Sequence, residues 1–149
     1  MTIEDAIKQK RPFRNEHQRA MVNLIFTTTQ VRERIKKTLK PFGITMQQYN
    51  VLRILKGAGE PITTSVIRER LLDKMSDTSR MVERLFQKEL VIREVCAHDK
   101  RLVDVSLSDK GYRLIEAMNN INYELDSIFD NITEEEANIL NNLLDKIRS

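Results

Sequence analysis

Residues 76–111 read SDTSRMVERLFQKELVIREVCAHDKRLVDVSLSDKG, and the order of patterns in this stretch decides the fold. Met81, Val82, Leu85 and Phe86 recur at helical spacing and are expected to face inward, while Ser79, Arg80, Glu83, Arg84 and Gln87 cover the rest of the helix. Ser76 is the expected N-cap. Leu90–Cys96 and Leu102–Leu107 then read as strands. In the second, Val103, Val105 and Leu107 alternate with Asp104 and Ser106, so one side is buried and one is wet. Asp99-Lys100-Arg101 forms the charged turn between them.

A helix followed by a two-stranded ribbon with a basic tip is the layout of a winged helix-turn-helix, in which a helix enters the major groove of DNA and the ribbon reaches for the minor groove. The residues upstream complete it. Thr45-Met46-Gln47-Gln48 is a capping box that opens a helix through Val51, Leu52 and Leu55, closed by Gly57 and Gly59. Thr63 or Thr64 starts the next helix, with Val66, Ile67, Leu71 and Leu72 as its buried side. Only a few residues around 73–75 join it to the helix at 76, as a helix-turn-helix requires.

Outside this core the chain is helical. Met21, Leu24, Ile25, Val31, Ile35 and Leu39 predict a helix over about 14–40, ended by Pro41 and Gly43. Ser108 is expected to cap one long helix carrying Leu114, Ile115, Met118, Ile121, Leu125, Ile128 and Phe129. Thr133-Glu134-Glu135-Glu136 caps a last one with Ala137, Leu140, Leu143, Leu144 and Ile147. A small winged core covers only part of these apolar stripes. Leaving them in water forfeits about 25 cal/mol per Å², so a two-fold homodimer of intertwined terminal helices is expected over helices folded back on their own core. The expected architecture is mainly α with a small β-wing: a single domain, 1–149, with a winged helix-turn-helix at about 45–107 and dimerisation helices at about 14–40 and 109–149.

Composition narrows the function. With 149 residues, 40% hydrophobic and 32% charged, one globular domain is expected. No apolar run has the length of a membrane span and the first residues have no signal-peptide core, so a cytoplasmic protein without membrane contact is expected. Residues 1–60 carry 12 Lys and Arg against 5 Asp and Glu, residues 61–111 carry 10 against 9, and residues 112–149 carry 3 against 8. A basic front and an acidic tail suit a molecule with one face toward an anion, although the winged segment itself is nearly neutral. No catalytic, cofactor or metal site is expected. His17 and His98 fit no metal spacing, and no nucleophile elbow or glycine-rich phosphate loop is present.

Over nearly its whole length the chain resembles the MarR family of bacterial transcriptional regulators. The resemblance is carried by Ser79-Arg80-Met81-Val82-Glu83-Arg84-Leu85, Leu90-Val91-Ile92-Arg93, Asp99-Lys100-Arg101 and Val105-Ser106-Leu107-Ser108-Asp109-Lys110-Gly111, in that order and spacing. It implies a dimeric, sequence-specific, ligand-responsive repressor on pseudo-palindromic double-stranded DNA. The helix from Ser76 to Lys88 would be the recognition helix, with Ser76, Ser79 and Arg80 at base edges and Arg84 on phosphate or bracing the wing. Arg101 would enter the minor groove, held by Asp99, with Lys100 on phosphate.

A solvated helix face with Arg84 paired to Asp77 or Glu83 has the same sequence, and hairpin tips are often charged for solubility alone. The alternative function is a winged-helix protein-interaction module without specific DNA binding, which the near-neutral charge of residues 61–111 and Asp77 favour. The resemblance also implies a pocket for a small aromatic or anionic effector, which Arg14, His17, Met21 and Thr28 would border if they are not ordinary core or interface residues. One position departs from the family: Glu89 stands where a glycine is usual. The single cysteine, Cys96, does not match the peroxide-sensing branch, whose cysteine lies near the N-terminus.

Overall fold

In the computed structural model, which describes residues 1–149, eight α-helices surround a three-stranded sheet. The chain begins with α1 (Ile3–Ala6) and α2 (Glu16–Leu39), followed by a 3-10 turn at Lys40–Phe42. It continues through α3 (Met46–Ala58), β1 (Ile62–Thr63), α4 (Thr64–Arg70) and α5 (Thr78–Gln87). The ribbon is β2 (Val91–Val95) and β3 (Val103–Leu107). Then come α6 (Asp109–Ala117), α7 (Ile121–Asp126), a 3-10 turn at Ser127–Phe129 and α8 (Glu134–Arg148). The mainly α winged helix-turn-helix expected from sequence is the observed fold.

Local chemistry sets most of the boundaries. Thr45 and Thr133 each close a full capping box, with Gln48 and Glu136 reaching back to the cap N–H groups at 3.2 and 2.8 Å. α3 ends at Gly59, whose φ of 66° is left-handed, whereas Gly57 lies inside the helix and closes nothing. Thr63 caps α4 through the Val66 N–H. The recognition helix starts later than the sequence suggests. Ser76 is not its cap: the Ser76 N–H donates to the Asp73 carbonyl, and the Asp73 carboxylate accepts from the Met75 N–H, so residues 73–76 are held in a turn. Asp77 caps instead, accepting from the Arg80 N–H at 3.1 Å. Leu72 falls just ahead of this turn, past the end of α4, and is exposed rather than buried.

The ribbon pairs in antiparallel register from Val91 opposite Leu107 at its base to Val95 opposite Val103 at its tip. β1 adds to the far side of β3, Ile62 opposite Val105, and ties the helix-turn-helix to the ribbon. Val105 and Leu107 are buried as expected, but Val103, beside the tip, is exposed. Phe86 is also half outside, because the core is closed by Val82 and Leu85 from α5 against Val51, Leu52 and Leu55 of α3 and Ile67 of α4.

The expected long helix after Ser108 is broken at residues 118–120. Ile115, Met118 and Ile121 all enter the core. At 3.6 residues per turn a three-residue spacing drifts by about 60° per step, so the three span an arc of about 120°, a little beyond the usual apolar stripe of a helix. A turn through Asn119 and Asn120, poor helix formers, resets the direction. α7 then packs on α2, where Arg34 donates to the Ile128 carbonyl at 3.1 Å. Near the N-terminus, α1 buries Ile3 and pairs Glu4 with Arg19 at 2.8 Å.

α5 ends in a left-handed turn at Glu89, φ 62°. The Glu89 N–H donates to the Phe86 carbonyl and the Leu90 N–H to the Leu85 carbonyl, at 2.9 and 3.0 Å, which is a Schellman motif. The family's usual glycine geometry is kept with a side chain in place, at a strain of about 1–2 kcal/mol. The Glu89 carboxylate reaches only an exposed Lys110 at 3.8 Å, worth about 0–1 kcal/mol. The strain therefore outweighs the pair. Glu89→Gly is expected to raise stability by about 1 kcal/mol, read as a higher urea midpoint at fixed protein concentration; a lower midpoint would show that the Lys110 contact dominates.

Candidate nucleic-acid interface

The helix α5 buries Thr78, Val82 and Leu85 and turns Ser79, Arg80 and Arg84 to solvent. Arg80 and Arg84 are four residues apart and share a face. Neither has a carboxylate partner, because Asp77 is spent on the cap and Glu83 is paired with Arg93. The solvated-pair alternative for Arg84 is therefore not what forms. Ser76 is half-buried in the preceding turn, outside the helix where the sequence placed it.

At the other end of the ribbon, the Cys96 N–H donates to the Leu102 carbonyl and the Leu102 N–H to the Asp99 carbonyl, at 2.9 and 3.0 Å, closing a tight tip. Asp99 Oδ1 accepts from the Arg101 backbone N–H at 3.0 Å and from Nε at 3.1 Å, while Oδ2 accepts from the guanidinium NH2 at 3.0 Å. This bidentate fork fixes the guanidinium plane. The arginine side chain remains 89% exposed while its aspartate partner is 33% exposed. The Arg101 side chain, then its backbone N–H, holds the Asp99 carboxyl below the ordinary value, and the same pair raises Arg101. Lys100 is exposed beside them without an ion-pair partner.

Arg93 carries part of the resemblance, but the sequence assigns it no role. It stands over the Phe86 ring, 3.8 Å from the centroid, and pairs with Glu83, so it fastens β2 to the exposed flank of α5. Its signal was present: Val91, Arg93 and Val95 share one side of the strand, and an arginine between two valines needs a partner. Ser79, Val82, Arg93 and Thr64 border a cleft of about 350 Å³ at this joint. Arg14, His17, Met21 and Thr28 lie exposed at and along α2, and neither of the two principal clefts is lined by them. Cys96 is buried at the wing and His98 is exposed. No helix is long and apolar enough to cross a membrane.

A recognition helix with free arginines, a two-stranded wing and a braced arginine at its tip define a winged helix-turn-helix protein of the nucleic-acid-binding kind. The MarR family model matches residues 42–102, the winged part of the chain, which is similar to that family of transcription regulators. The chain is 35% identical over 81 residues to the HTH-type transcriptional repressor MdtR of Bacillus subtilis (strain 168), a match that covers 54% of this chain and about half, 52%, of that protein. Among solved structures it is similar to wild-type MarR of E. coli in its apo form, with 27% identity, a TM-score of 0.67, and coverage of 84% of this chain and 94% of that one. A mutant MarR of E. coli complexed with operator DNA shares the fold at 24% identity and a TM-score of 0.78, covering 92% of this chain and 99% of that chain.

Because the lowered Asp99 value is caused by Arg101, the pair is intact at neutral pH and opens only as pH falls through that value. Carboxyl-carbon NMR is expected to place the Asp99 midpoint below the ordinary 3.8, and Arg101→Ala to return it upward. An unchanged midpoint in the variant would mean that the fork does not persist in solution.

Proposed function

We propose that this chain is a sequence-specific transcriptional regulator that acts as a homodimer on a pseudo-palindromic operator in double-stranded DNA. The observation that carries the reading is the Asp99–Arg101 fork: an exposed guanidinium held in one orientation at a ribbon tip, where a minor groove would receive it. Ser79 and Arg80 near the start of α5 would meet base edges, Arg84 and Lys100 would meet phosphate, and Ser76 would approach the backbone from the turn ahead of the helix. Asp99 acts through Arg101 and touches no DNA in this scheme.

The terminal helices support the dimer. The only buried residue of the 24-residue α2 is Leu39, and α8 buries none of its 15, leaving Met21, Ile25, Ile139, Leu143 and Ile147 more than half exposed in the single chain. Burying such side chains fully is worth about 1.5–3 kcal/mol each. A two-fold partner would cover them and set two recognition helices about one DNA turn, ~34 Å, apart. A small effector would lower operator affinity by binding one shape of that dimer better than the other. Repression is the sign suggested by the Bacillus relative, itself a transcriptional repressor.

In fluorescence-anisotropy titrations with an operator duplex, log affinity is expected to fall linearly with log salt, as counterion release requires. Arg101→Ala is expected to weaken binding about tenfold or more and to flatten the slope by about two for a dimer. Wild-type affinity in the variant at several salt concentrations would overturn the wing assignment, and salt-independent binding of the parent would favour the protein-interaction alternative.

A further inference from the structure

The stretch between α4 and the recognition helix presents two large apolar side chains to water. Met75 is 94% exposed and Leu72 82%, the highest values of any large apolar residue after the first of the chain. Leu71 and Thr78, on either side of them in sequence, are the residues that enter the core. The turn is not free to tuck Met75 away. The Asp73 carboxylate accepts from the Met75 N–H at 3.0 Å, and the Ser76 N–H donates to the Asp73 carbonyl at 3.3 Å. Lys74 Nζ donates to the Arg68 and Glu69 carbonyls at the end of α4. A fixed backbone thus displays a flexible, polarisable thioether side chain.

The surroundings of this side chain indicate its partner. Neither Met75 nor Leu72 lies on α2 or α8, whose apolar side chains the proposed dimer covers. Arg68, Arg70, Lys74 and Arg80 are exposed, and none has a carboxylate partner. Two of the three carboxylates between residues 68 and 80, Asp73 and Asp77, are turned onto backbone N–H groups, which leaves only Glu69. An apolar tip among unpaired cations, immediately ahead of Ser79 and Arg80, suits a polyanion that carries apolar groups between its charges. In the major groove of DNA that group is the thymine C5-methyl.

We infer that Met75 is a specificity-determining residue that packs on a thymine methyl group in the major groove, beside the bases met by the start of α5. The inference rests on the DNA-binding reading and adds an apolar readout to it. Ser79 and Arg80 would read hydrogen-bonding groups. Met75 would tell thymine from cytosine, which lacks the methyl, by removing that methyl from water.

The test replaces thymine by deoxyuridine, one position of each half-site at a time, in the duplex that the parent protein selects from a random library. The exchange keeps every hydrogen-bonding group and removes only the methyl. Fluorescence-anisotropy titrations of the full chain are expected to show a thymine whose exchange weakens binding about fourfold per half-site, the worth of one buried methyl group. Met75→Ala should abolish the thymine–uracil difference at that position alone, and Met75→Leu should restore most of it. Because Met75 is exposed, Met75→Ala should melt at the parent temperature. A parent that shows no thymine–uracil difference, or a folded Met75→Ala that keeps it at every thymine, would overturn the assignment, while specific binding by the parent leaves the DNA reading standing. Failure of the parent to select any duplex would overturn the DNA reading and this inference with it.

Discussion

The left-handed turn at Lys88–Leu90 is the constraint on which the rest of the winged core depends. Through it the recognition helix stops and the wing begins. Four further contacts converge there: Ser108 Oγ donates to the Glu89 carbonyl at 2.6 Å, the Ser108 N–H to the Leu90 carbonyl at 3.1 Å, Lys110 to the Lys88 carbonyl, and Gly111 packs against Leu90. A Cβ on Gly111 would collide with the Leu90 carbonyl oxygen, a backbone atom that cannot swing aside. One turn thus fixes the helix that carries Arg80 and Arg84, the ribbon that carries Arg101, and α6, which leads into the terminal helices. Arg93, clamped between Glu83 and Phe86, adds a second fastening between helix and ribbon. The angle between helix and wing is set by these joints, not by the elements themselves.

The molecule divides by how well it satisfies itself. The winged core is closed, with Leu39, Val51, Leu52, Ile67, Leu85 and Val105 essentially inaccessible. The terminal helices are not, since α8 is amphipathic yet buries nothing. A helix of this length with its apolar stripe in water has little tertiary packing to hold it. The proposed dimer gives that stripe its function and converts two separate winged cores into one reader of a two-fold DNA site.

Much of this was legible in the sequence because it is local. Capping boxes at Thr45 and Thr133 need only residues three apart, the ribbon needs only alternation, and the Asp99–Arg101 fork closes across two residues. What stayed hidden was set by distant neighbours or by length. α1 has four residues and β1 two, too short for any period to register. β1 exists because Ile62 finds Val105 some forty positions away. The break after α6 falls at Asn119 and Asn120 while Ile115, Met118 and Ile121 all stay buried, and apolar Phe86, left half outside the closed core, meets Arg93 instead. Glu89 was recognised as a departure from the family pattern, but only the backbone shows that the left-handed geometry survives it.

The central claim, that two braced wings and two recognition helices read one two-fold DNA site, is tested most directly by selecting bound duplexes from a random library at two salt concentrations. A single pseudo-palindrome is expected, its half-sites about one helical turn apart and retained at the higher salt. Recovery of no motif, or of an unpaired half-site, would contradict it.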